Sequence, residues 1–305
     1  MKSRVAALFG LSLACTPTFE DRPWRIDEDR IVAIAATPAE ARPGTMVSLQ
    51  ALVVGPDGPF DPAIEWSACT RPRSARERTG VTERCARGED LEPLGTPARV
   101  LDDACARFGP NPPPTEGDAP SRRPADPDPS GGFFLPVHAE VSAESLQSFG
   151  FVRLRCDLAG VTRAIFDQFE ARYRDNLAPM LDRLELRDED TLAPLGTTSA
   201  QVRPGASVDF ELVLATEASE PYVVVDPESG QLLDRQEALT VRWYVTDGEL
   251  DRGTQTLPGT ELGEDEARFV VSWRAPPSDG PVFGWAVLVD DRGGTSWAAF
   301  EIDVR

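Results

Sequence analysis

The feature that most constrains this chain is an internal repeat. Ala41-Arg42-Pro43-Gly44-Thr45 leads into Met46-Val47-Ser48-Leu49-Gln50-Ala51-Leu52-Val53, and Val202-Arg203-Pro204-Gly205-Ala206 leads into Ser207-Val208-Asp209-Phe210-Glu211-Leu212-Val213-Leu214. In both, a Pro-Gly turn stands directly before a strand, and in the second Val208, Phe210, Leu212 and Leu214 share one face at period two. Each copy is followed by a strand with a tryptophan, Ile64-Glu65-Trp66 and Val241-Arg242-Trp243-Tyr244-Val245. A repeat unit this large means two copies of a domain, not a solenoid. The second half continues with Phe269, Val271 and Trp273 alternating, a break at Ala275-Pro276-Pro277, and alternation again at Phe283, Trp285, Val287 and Val289. After the turn Asp290-Asp291-Arg292-Gly293-Gly294, Ala298, Phe300, Ile302 and Val304 face inward. Short alternating strands separated by turns make an all-β protein of two tandem antiparallel β-sandwiches.

The N-terminus points to export. Lys2 and Arg4 precede an apolar run from Val5 to Ala14, too short to span a bilayer but the right size for a signal peptide, and the run stops at Cys15. Ala14 before the cysteine matches a lipobox; Leu11 and Leu13 flank Ser12, where the usual order places the leucine three residues before the cysteine. An ordinary secretory signal with a chance cysteine is the alternative. On the lipobox reading, residues 1–14 are a signal peptide, Cys15 carries the lipid and 15–29 form a polar tether. The membrane is met only through that anchor. Thr16 in place of an Asp after the cysteine favours the outer over the inner membrane.

With those motifs in place, the chain resembles the immunoglobulin-like, cadherin/PKD-like domains of bacterial surface proteins, through Arg-Pro-Gly before one strand, tryptophan on the next and Trp273-Arg274-Ala275-Pro276-Pro277 at a strand end. Two such domains behind a lipobox resemble myxobacterial-type lipoproteins. The antibody-type disulfide is missing, since neither Pro-Gly strand holds a cysteine. The expected layout is a first domain over 30–175 with an insertion at about 70–132, a linker at 176–179 and a second domain over 180–305. Within the insertion, the Pro-, Asp- and Gly-rich stretch from Gly109 to Gly132 cannot bury enough apolar surface to offset its ordering entropy and reads as disordered. The stretch 161–174 is ambiguous. Thr162, Ala164 and Phe166 fit a strand, which the repeat favours, while Ile165, Phe169 and Tyr173 fit a helix.

Besides Cys15, the chain has Cys69, Cys85, Cys105 and Cys156, an even set in an exported protein and hence two disulfides. Three connectivities exist; short-range closure favours Cys69–Cys85 with Cys105–Cys156, stapling a loop that has little core of its own. No C-x-x-C is present and His138 is the only histidine, which sets zinc aside. The formal charge of −20 repels nucleic acid and anionic headgroups.

No nucleophile elbow, metalloprotease or phosphate-loop motif occurs, and His138 stands alone in a strand, so no enzyme activity and no cofactor are expected. Asp247, Asp251, Asp290 and Asp291 sit at strand ends with oxygen ligands suited to calcium, but ordinary turn chemistry is the preferred reading and no metal is expected. Tyr244 and Trp297 lie out of phase with the core residues of their strands. They are candidates for stacking on a glycan, or else for the other side of a two-sheet core or contact between the domains. The expectation is a non-enzymatic cell-envelope lipoprotein that binds or scaffolds an unidentified envelope protein or polysaccharide. A carbohydrate-binding module and an envelope enzyme of unfamiliar type are the rivals.

Overall fold

The computed structural model describes residues 22–72, 80–110, 131–189, 191–196, 199–226, 228–262 and 267–305. Cys15, the signal segment and most of the Pro-rich stretch lie outside them.

The first sandwich contains β1 (Arg30–Thr37), β2 (Glu40–Ala41), β3 (Met46–Gly55), β4 (Gly58–Pro59), β5 (Glu65–Cys69), β6 (Leu91–Pro93), β7 (Ala98–Arg99), β8 (Phe133–Val141) and β9 (Leu146–Leu154). One sheet runs β1-β3-β4 with β7 also paired to β3; the other runs β2-β9-β8-β5-β6. The second contains β10 (Leu181–Asp188), β11 (Thr191–Pro194), β12 (Ala200–Val202), β13 (Ser207–Leu214), β14 (Pro221–Val225), β15 (Leu232–Gln236), β16 (Leu239–Val245), β17 (Glu249–Leu250), β18 (Thr254–Leu257), β19 (Arg268–Arg274), β20 (Gly280–Asp290) and β21 (Thr295–Val304). Its sheets run β11-β10-β13-β19-β17 and β12-β21-β20-β16-β18, with β14-β15 as a separate hairpin.

Eight strands of the first plan, β1, β2, β3, β7, β5, β6, β8 and β9, correspond to β10, β12, β13, β19, β16, β18, β20 and β21 of the second; β4, β11, β14, β15 and β17 have no counterpart. In each, a short strand runs parallel to the last one, β2 to β9 and β12 to β21, while the other pairings are antiparallel. The repeated turn explains part of this. Gly44 has φ +77° and Gly205 φ +70°, with Thr45 N donating to Arg42 O and Ala206 N to Arg203 O, each at 3.1 Å. That is a type II turn, in which proline fixes the first corner and only glycine takes the second without strain. Both glycine amides then donate across the sheet, Gly44 to Val100 O at 2.9 Å and Gly205 to Pro276 O at 3.0 Å.

Each sandwich has its own core. Ala36, Ala41, Val47, Ala68, Val137 and Leu154 fill the first. Phe210, Trp243, Phe269, Trp273, Phe300 and Ile302 fill the second, with Phe210 against Trp273 at 5.4 Å and Phe300 at 4.8 Å between ring centres.

Several sequence expectations are corrected here. The 161–174 stretch is not a strand: α3 spans Arg163–Arg172, with the Thr162 hydroxyl accepting from Ile165 N. The helical spacing of Ile165, Phe169 and Tyr173 prevails because β9 already closes its sheet against β2, and a hydroxyl cap satisfies an amide that helix initiation leaves free. Part of the 70–132 insertion is folded. α1 (Glu83–Ala86) and α2 (Ala104–Phe108) flank β6 and β7, and Ala98, Val100, Leu101, Ala104 and Phe108 join the first core, so this segment packs on the sandwich and forms no separate core among the described residues. The disulfides Cys69–Cys85 and Cys105–Cys156 tie it down, β5 to α1 and α2 to the chain beyond β9. Residues 22–29 of the expected 15–29 tether are not free of the body. Trp24 and Ile26 are buried, Arg25 forms a parallel bridge with Val245, and Ile26 N donates to Val245 O at 2.9 Å.

Candidate functional site: the joint between the sandwiches

Strand β20 is apolar on both faces. Val282, Ala286 and Leu288 point into the second core, while Phe283, Trp285, Val287 and Val289 point out of it. The alternation read from the sequence at Phe283–Val289 therefore marks a second buried surface. Ile26 from the lead-in and Leu52 and Val54 from β3 cover it, with Val32 and Ala33 of β1 at its edge. The backbone comes close at Gly58, where an added Cβ would stand 3.3 Å from the Phe283 ring.

Tyr244 and Trp297 belong to this seam. Both are half-buried and packed on the same cluster. A buried tyrosine keeps its proton more firmly, and burial is the leading cause that raises the Tyr244 pKa.

Beside the apolar seam lies a buried ion cluster drawn from both sandwiches and the linker. Arg292, wholly buried in the turn after β20, sets one guanidinium nitrogen 3.2 Å from Glu40 Oε2 of β2 and donates from it to Arg174 O at 2.7 Å. The other nitrogen lies 3.2 Å from Glu237 Oε1, just after β15. Glu40 also accepts from the Tyr173 hydroxyl and from Asn176 N at 2.9 Å, and has Arg153 of β9 at 3.4 Å. Asn176, fully buried in the linker, turns its side-chain NH2 to Glu237 Oε1 at 2.8 Å. The linker is thus held at its first residue. Rings line the cluster too, with the Arg292 guanidinium 5.2 Å from the Tyr222 ring centre.

Burial, aided by the nearby Asp290 charge, pushes the Glu237 pKa up to about 8. Burial also raises Asp290 to about 6, against the pull of the Gly294 and Arg292 amides that its carboxylate accepts from at 2.8 Å. Arg292 thus faces Glu40 and Glu237 at 3.2 Å and Glu220 at 3.8 Å, and Arg153 also faces Glu40. Buried charges persist only beside opposite charges and hydrogen-bond partners.

The aspartates proposed for calcium do not converge. Asp247 pairs with Arg25 at 2.8 Å and takes the Gly248 amide at 2.7 Å. Asp251 pairs with Arg252 at 2.8 Å and accepts from Ser272 N at 3.1 Å. Asp290 is spent on its own turn, and Asp291 receives the Tyr222 hydroxyl at 3.4 Å. Among the described residues no three metal-binding side chains come together. His138 is buried between Ser67 (3.4 Å) and Gln147 (3.3 Å) under the Phe149 ring. No described helix is long and apolar enough to cross a membrane.

These features define the class: an all-β protein of two immunoglobulin-like sandwiches locked face to face. No protein-family model matches the chain, and no curated protein sequence matches it. Solved structures with some similarity include dimeric latent PorU from Porphyromonas gingivalis (11% identity, 92% of this chain and 24% of that one, TM-score 0.23). Others are BspA_C_WT (10% identity, 57% and 59%, TM-score 0.25) and the D00-D0 domain of intimin (9% identity, 90% and 100%, TM-score 0.22). The chain spans about a quarter of the PorU chain and three fifths of BspA_C_WT. Similarity this slight carries no argument about activity, and the fold assignment rests on the strand plan above.

Proposed function

We propose that this chain is a non-enzymatic binding or scaffold module of the bacterial cell envelope, anchored by acyl chains on Cys15 and presenting two rigidly joined sandwiches to a partner. The observation that carries the reading is the joint. A flexible string of domains needs no buried arginine shared among β2, the linker and the β20 turn, whereas a body that must hold its surfaces at a fixed angle does. Two disulfides support an oxidising compartment. Docking of Trp24 and Ile26 fixes where the tether leaves the body, so an anchor at Cys15 would orient both sandwiches relative to the membrane.

The test is palmitate labelling and fractionation of the native host, wild type against Cys15→Ser. Label and membrane association lost together in the variant support the anchored module. An unlabelled wild type, free in periplasm or medium, overturns the anchor.

A further inference from the structure

Next to the ion cluster the joint leaves a hollow of about 640 Å3, within the range of small-molecule sites. Its floor is the outward face of β8 and β9, where Phe134, Phe149 and Phe151 stand side by side, Phe134 and Phe151 edge to face at 6.2 Å. One wall is Val287 and Val289 of β20; the opposite wall is Gly80-Val81-Thr82, leading into α1. Glycines bring the backbone up to the rings. A Cβ at Gly293 would lie 2.9 Å from Phe134, and one at Gly80 3.3 Å from Phe151.

The rim carries one arginine from each sandwich, Arg71 after β5 and Arg242 on β16. Neither has a carboxylate oxygen within 4 Å among the described residues; Arg71 acts on Asp90 only at longer range, and Asp90 is itself paired with Arg84 at 2.6 Å. The aspartates nearby are otherwise engaged, Asp290 by the Arg292 and Gly294 amides and Asp291 by Tyr222. Phenylalanine rings offer no hydroxyl or N–H, so the floor itself favours an apolar body, with polar side chains such as Thr82, Ser148 and Thr295 elsewhere in the lining.

We propose that this interdomain hollow binds an apolar molecule with a single anionic head, of the fatty-acid class, its chain over Phe134, Phe149 and Phe151 and its head between Arg71 and Arg242. The inference rests on the reading of the chain as a binding module and names its ligand class. It does not depend on the membrane anchor.

The test is calorimetric titration of the full chain carrying Cys15→Ser, so that no attached acyl chain competes. The probes are laurate, dodecanol and dodecyltrimethylammonium, each below its micelle concentration. The expected result is one laurate per chain, with the alcohol and the cation at least about tenfold weaker. Arg242→Gln removes most of the preference for laurate over the alcohol. Phe151→Ala weakens both, and since Phe151 is 38% exposed the fold should survive its truncation. If Phe151→Ala fails to fold, the Arg242→Gln result still decides. No laurate binding, a cation that binds as well as laurate, or laurate affinity unchanged in Arg242→Gln overturns the proposal. Because the assay involves no membrane, its failure is distinct from failure of the lipid anchor.

Discussion

In the second sandwich Trp243, Trp273, Phe210 and Phe300 interlock at the centre, and a seven-residue strand, β19, runs alongside β13. In the first, alanines 36, 41, 68, 98 and 104 occupy much of the core, and the strand matching β19 is the two-residue β7. The strand plan is common to both, so it does not depend on how the interior is filled. What changes is the source of stability. Large rings bury much apolar area each, and the second half needs no covalent help. The first half buries less per residue and carries both disulfides, the usual remedy for a thin core.

The sharpest way to break this comparison is Trp243→Ala, expected to cost about 3–5 kcal/mol through the cavity it leaves. Urea unfolding should show that loss in the second sandwich, while Trp66→Ala, at a buried position outside the first core cluster, costs less. Equal losses would put the two cores on the same footing. Next come the disulfides. Opening Cys105–Cys156, which spans 51 residues, should cost about 4 kcal/mol, and opening Cys69–Cys85, which spans 16, about 3. Hydrogen exchange after reduction should rise in the first sandwich and not in the second.

A smaller effect joins the halves. With Glu237 at about 8 in the fold and near 4.5 when unfolded, the folded state binds the extra proton between those values. The stability it contributes is complete below 4.5 and is lost as pH rises through 8; Asp290 adds a similar loss up to about 6. Melting temperature should therefore decline from pH 5 to pH 9, and Glu237→Gln should flatten the decline. A profile identical in the variant would show that Glu237 is not the group responsible. Smallest is Thr162→Ala, which should cost about 1 kcal/mol and fray α3 without disturbing either sheet, as read by amide exchange.

The sandwich architecture was legible because the Arg-Pro-Gly turns and period-two strands are local signals, and local signals survive in a bare sequence. The helix was legible only as an alternative, since Ile165, Phe169 and Tyr173 compete with an equally good strand pattern. The joint left two faint traces. Segment 282–289 is apolar at odd and even positions alike, which marks a strand covered on both sides. Tyr244 and Trp297 fall out of phase with their cores. Nothing local could have paired Glu40 with Arg292, 252 residues apart. Arg292 sits in a stretch whose glycines and aspartates spell only a turn, and its role depends on a partner from the other half of the chain.

The central claim, that the joint makes one rigid body of two sandwiches, is tested most directly by the distance between spin labels on Glu144 and Glu217, exposed positions in different sandwiches. The account predicts a single narrow distance distribution in the wild-type background, broadened when Arg292→Ala removes the shared cation. A broad distribution in the wild-type background, or one that Arg292→Ala leaves unchanged, would contradict it.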